Sequence, residues 1–164
     1  MTIINKIITK MQNCNQKNYA LDDIFIDEKN AYYGDLLTAV IKSQRMKLTD
    51  VALNAKIEPR VFQNVRSKNA KDRRIITRSE ALRVAVVLNL PPHYTQLLLE
   101  RMNVALPRYT NSDIALNAVI YTNHSTHHEM LTRLKCLDLI EKNQLNFLYN
   151  FENEFSKINL EEII

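Results

Sequence analysis

The chain of 164 residues contains one glycine, four prolines and no tryptophan. Glycine supplies the tight turns of β-proteins and the close backbone approach of phosphate-cradling loops. Its scarcity argues against a turn-rich β-fold and against a Gly-rich nucleotide loop. No apolar run approaches the ~20 residues that span a bilayer. The opening MTIINKIITK lacks the long apolar core and small-residue cleavage site of a signal peptide. Cys14 and Cys136 lie far apart and fit no CxxC pattern, so two free thiols in a reducing compartment are expected. A nucleophile–base constellation and a paired-carboxylate motif are also missing. Catalysis is not expected, no cofactor is implied, and a cytoplasmic location is expected. The missing targeting segments suggest a bacterial or phage origin.

What the chain does have is helical periodicity almost throughout, with proline placed where helices begin or end. The fold is expected to be all-α. Ile3, Ile4, Ile7, Ile8 and Met11 form one stripe, and the polar run 13–19 reads as a loop. Residues 20–33 fit a short helix or an extended arm. Helices are then expected over 34–44, 48–55, 59–67, 78–89, 92–103, 111–122, 126–140 and 141–156, with Asn111 or Ser112 capping the sixth of these. Pro59 suits the first position of its helix, where its missing N–H costs nothing.

The formal net charge is +4, and its distribution is uneven. Residues 34–110 hold fourteen Lys and Arg against six acids, whereas 111–164 hold four against eight. A basic middle segment is the electrostatic footprint of a nucleic-acid-binding surface. Within it, KLTDVALNAKIEPRVFQNVR (47–66) reads as two short helices joined by a tight turn. On the second helix Arg60, Gln63, Asn64 and Ser67 repeat at i, i+3, i+4 and i+7, a single polar stripe. Val61, Phe62 and Val65 lie opposite and can anchor the helix to a core.

Met46, Val51, Ala52, Ala55, Ile57, Phe62 and Val65 fill the apolar and small positions of a known pattern, and ALRVAVVLNLPPHYTQLLL (81–99) continues it. On these residues the chain resembles the XRE family of λ-repressor-like helix-turn-helix domains, over about 34–103. The resemblance implies a five-helix core within 34–110, an N-terminal helical extension (1–33) and a C-terminal helical segment (111–164). Lys56 stands where the family has its turn glycine, and Leu48 where it often has a backbone-touching glutamine.

The implied activity is sequence-specific binding of double-stranded DNA, as a dimeric repressor. Arg60, Gln63 and Asn64 would meet base edges, since an arginine fork fits guanine and an amide fits adenine. Lys47, Lys56, Arg66, Ser67, Lys68, Lys71, Arg73 and Arg74 would meet phosphates. Small helix-turn-helix proteins usually dimerise on palindromic sites. Leu134, Leu137, Leu145, Leu148 and Phe151 are the candidate dimerisation residues of the acidic C-terminal segment. A competing reading is a helix-turn-helix inhibitor or antitoxin, anti-CRISPR-like, that grips a protein target and regulates its own promoter. His124, His127, His128 and Glu129 superficially resemble a metal cluster, but no companion ligand pair is evident and a metal is not expected.

Overall fold

The computed structural model describes residues 19–67, 74–142 and 147–158. The N-terminal isoleucine stripe lies outside these. Among the described residues there are nine α-helices and no strand, so the chain is all-α. The helices are α1 (Tyr19–Ile26), α2 (Tyr33–Ser43), α3 (Leu48–Asn54), α4 (Pro59–Val65), α5 (Arg78–Leu88), α6 (Pro92–Arg101), α7 (Asn111–Tyr121), α8 (His127–Lys142) and α9 (Phe147–Phe155). A 3₁₀ turn, Glu28–Asn30, separates α1 from α2. The ambiguous 20–33 stretch is thus helical rather than an extended arm. None of the described helices is long and apolar enough to cross a membrane.

The described residues fall into two compact units. One holds 19–88 and 96–104, the other 89–95 and 105–158, with the division inside α6. These limits differ from the boundaries at 33 and 110 drawn from sequence.

In the first unit, α2 turns Leu36, Leu37, Val40 and Ile41 inward, and α3 turns in Val51 and Ala52. Alanines at 52 and 55 are fully buried, and α3 packs on both α4 and α5. Arg83 of α5 donates from Nε to the Ala55 carbonyl at 2.6 Å, satisfying an acceptor at the end of α3. At the start of α5, Thr77 and Glu80 exchange hydrogen bonds: Thr77 N–H donates to Glu80 and Glu80 N–H to the Thr77 hydroxyl.

With one glycine available, helices end on left-handed residues of other types. Arg45 (φ 57°), Lys56 (φ 57°) and Asn103 (φ 58°) follow α2, α3 and α6. In each case the next N–H reaches back to close the motif: Met46 to Ile41, Ile57 to Ala52 and Val104 to Leu99. The glycine itself serves close approach. A Cβ on Gly34 would stand 3.0 Å from both the Val65 carbonyl oxygen and Arg66 Cα, and 2.4 Å from the Tyr32 ring. Tyr32 donates its hydroxyl to that same Val65 carbonyl at 2.6 Å. The start of α2 therefore lies directly against the end of α4.

In the second unit α8 packs on α7 and α9. Thr110, not Asn111 or Ser112, caps α7. It accepts from Asp113 N–H, while the Asp113 carboxylate accepts from the Thr110 N–H. Three cap-competent residues stand in a row, and the acid three places after Thr110 selects it.

The centre of this unit holds a charge. Arg133 is 1% exposed. It donates to the carbonyls of Val119 (3.1 and 2.9 Å) and Ile120 (3.0 Å) in the last turn of α7, where a cation suits the helix dipole. It also donates to Asn89 Oδ1 (3.2 Å) and His124 Nδ1 (2.9 Å). Burial pulls the Arg133 guanidinium down to about 9, which still leaves it charged at neutral pH.

Candidate nucleic-acid interface

The site is the α3–turn–α4 pair. Ala55 ends α3, Lys56 takes the left-handed position, and Ile57 is buried beneath the turn. Pro59 opens α4 with its fixed φ already helical. Phe62 and Val65, 1% and 0% exposed, fix the helix to the core. Val61, read as a third anchor, is only half-buried.

Arg60, Gln63 and Asn64 are all exposed, on the side away from Phe62 and Val65. The helix ends at Val65, two residues earlier than the 59–67 span expected. Arg66 is its cap and Ser67 lies beyond it, half-buried, so Ser67 does not complete the helical stripe. At this end the bonds tighten to i→i−3, Arg66 N–H to Gln63 and Ser67 N–H to Asn64, and Arg74 N–H also takes the Asn64 carbonyl.

Arg66 does not stand free toward solvent. Its guanidinium lies 5.9 Å over the Phe62 ring, donates from Nε to Thr38 Oγ1 (3.0 Å) and from Nη1 to Gln63 Oε1 (3.2 Å). Thr38 in turn donates its hydroxyl to the Gly34 carbonyl. Burial lowers the Arg66 pKa from its ordinary value. One consequence falls on Gln63. Its carbonyl oxygen is occupied by Arg66, so its amide N–H₂ is the end that remains for a ligand.

Of the other phosphate candidates, Lys47 and Lys56 are exposed at the two ends of α3. Arg74 is paired with Glu80 at 3.1 Å, and its charge is partly neutralised. Glu80 is held below its ordinary pKa: burial pushes it up, but hydrogen bonds from Thr77 and Arg74 prevail. Lys68, Lys71 and Arg73 lie outside the described residues.

Three of the dimerisation candidates require correction. Leu134, Leu137 and Phe151 are 3%, 1% and 0% exposed, so they form the core of their own unit rather than a free face. The side chains of Leu145 and Leu148 lie outside those described. Among the described side chains of α8 and α9, Leu131 and Tyr149 are large apolar ones that do reach solvent.

His124 and Cys136 are spoken for. Arg133 is a donor only, so His124 Nδ1 accepts and its proton sits on Nε2. Burial first, and then the Arg133 charge, pull His124 down to about 4. Burial pushes the Cys136 thiol up to about 12, far from a reactive thiolate. Among the described residues no group of three or more His, Cys, Asp or Glu is placed to hold a metal.

Sequence reasoning also missed a groove of about 920 Å³ beside α4, lined from the 3₁₀ turn, one face of α2 and the end of α4. Of its α2 residues, the polar Asp35, Thr38 and Lys42 stand at i, i+3 and i+7 on one face, a spacing that the sequence carries. Comparison of the chain with protein-family models, curated proteins and solved structures gave no match.

Proposed function

We propose that this chain is a non-enzymatic, sequence-specific DNA-binding regulator of the helix-turn-helix type, acting as a dimeric repressor. The observation that carries the reading is the two-sided α4. A short helix is pinned by Phe62 and Val65 and displays Arg60, Gln63 and Asn64 on its outer side. Arg60 offers a planar fork matched to guanine O6 and N7. Asn64 can pair bidentately with adenine. Gln63, with its carbonyl accepting from Arg66, offers its N–H₂ group as a donor, to guanine O6 or N7 or thymine O4. Lys47, Lys56, Arg66 and Ser67 flank this face and would position the duplex without specifying its sequence.

Resemblance to the XRE family agrees with this reading through Ala52, Ala55, Ile57, Phe62 and Val65, each buried as the family pattern requires. The test is selection of bound sequences from a random duplex pool, followed by mobility shifts with Arg60→Ala and Asn64→Ala. Each lost base contact should cost about 1–3 kcal/mol at one base position. If neither substitution alters the selected sequence or its affinity, α4 does not read DNA. A protein target retained at high salt without any DNA binding would favour the inhibitor reading instead.

A further inference from the structure

The groove beside α4 is built from charged and amide groups. Lys29, Lys42 and Arg66 supply three cations to its walls and Asp35 one anion, with Asn30, Gln63 and Asn64 contributing amides. Lys29 and Asn30 belong to the 3₁₀ turn, outside the helix pair, and that wall is fastened. Asp27 accepts from Lys29 N–H at 3.0 Å, and Asn30 donates to the Ile24 carbonyl at 2.9 Å. Arg101 braces it from α6, donating to the carbonyls of Phe25 (3.0 Å) and Asn30 (3.3 Å).

The opposite wall is fixed by the Gly34–Thr38–Arg66 relay. Arg66 is half-buried, yet among the described residues its partners are a hydroxyl and an amide carbonyl, and no carboxylate pairs with it. A partly desolvated guanidinium without a counter-charge gains most from a bound anion.

We propose that this groove seats phosphate esters, with Arg66 as the anchor and Lys29 and Lys42 as the further cations of its lining. The phosphate can come from two sources, the sugar–phosphate backbone of a duplex lying along α4 or a free nucleotide. A volume of about 920 Å³ accommodates a nucleotide. Because Gln63 and Asn64 serve both the groove and the outer side of α4, a nucleotide here would compete with a duplex. The proposal does not depend on base reading, since a phosphate seat needs no operator.

The test uses the full chain and two probes, adenosine monophosphate and a short duplex of random sequence, followed by amide chemical shifts and by affinity against salt. Lys29→Gln and Lys42→Gln replace exposed residues and leave the core untouched. Each should make the duplex log K–log salt slope shallower by about 0.9. Arg66→Lys, which keeps the charge but loses the fork, should weaken the nucleotide. Asp35→Asn should act in the opposite direction and strengthen both probes. Shifts at Asn30, Lys42 and Ser67 with the nucleotide alone assign the seat to a free ligand, and with the duplex alone to the DNA backbone. If neither probe moves these residues, or the four substitutions leave both affinities unchanged, the proposal is overturned. Failure of Arg60→Ala to alter sequence preference would leave it standing.

Discussion

Acidification should loosen the second unit, and His124 carries a separable part of the effect. Arg133 can only donate, so protonating His124 at Nδ1 sets two cations 2.9 Å apart and removes an acceptor from a buried guanidinium. In the unfolded chain the imidazole takes up its proton near 6.5, but in the folded chain only near 4. Between these values the unfolded state binds more protons, so stability rises with pH across the window. It is fully present above about 6.5 and gone below about 4. At 1.36 kcal/mol per pH unit the interval amounts to about 3 kcal/mol, and screening of this partly exposed ring reduces it to about 2 kcal/mol. The comparison that isolates the effect is wild type against His124→Gln, whose amide oxygen can still accept from Arg133 but does not titrate. Urea unfolding, followed by methyl resonances of the second unit, should show the wild type losing about 2 kcal/mol more than the variant between about pH 7.5 and pH 4. Direct titration of the His124 ring should place its midpoint near 4. A midpoint near the ordinary histidine value, or parallel pH curves for the two proteins, would refute the reasoning.

Gly34→Ala should destabilise the first unit by about 1–3 kcal/mol, read as a lower urea midpoint, because the backbone of Val65 and Arg66 must give way to the new methyl. The same substitution should weaken any ligand held by α4 and the groove. Leu137→Ala should cost about 2–5 kcal/mol in thermal or urea unfolding and leave the oligomeric state seen by light scattering unchanged, as befits a core position. Thr110→Ala should cost about 1 kcal/mol by removing the reciprocal cap of α7, with Asp113→Asn recovering part of the pattern but not its charge.

The helices from α2 to α6 were legible because their apolar stripes are regular and their prolines mark starts. The anchors Phe62 and Val65 and the outward Arg60, Gln63 and Asn64 were legible for the same reason: a 3.6-residue repeat divides a helix into two faces. The repeat does not say what covers an apolar face. Leu134 and Leu137 gave one signal for core and for interface, and only packing against α7 and α9 decides between them. Arg133 escaped notice because its charge suggested surface. Yet it stands with Met130, Leu134 and Leu137 at i, i+3, i+4 and i+7, inside the buried stripe. The fastening of Arg66 was out of reach, since Thr38 and Gly34 lie about thirty residues away. The groove had the same origin: three short segments, each unremarkable alone, share one hollow.

The glycine-poor helix ends have an electrostatic side. Arg45 and Lys56 sit in the left-handed conformation, which costs each roughly 1–2 kcal/mol relative to glycine. Both place a cation at the carbonyl end of a helix, where the macrodipole is negative and the attraction returns about 0.3–1 kcal/mol. That compensation is exposed to counterions, while the backbone strain is not. The stops of α2 and α3, the second of which is the turn that aims α4, should therefore fray more readily as ionic strength rises, even with no ligand present.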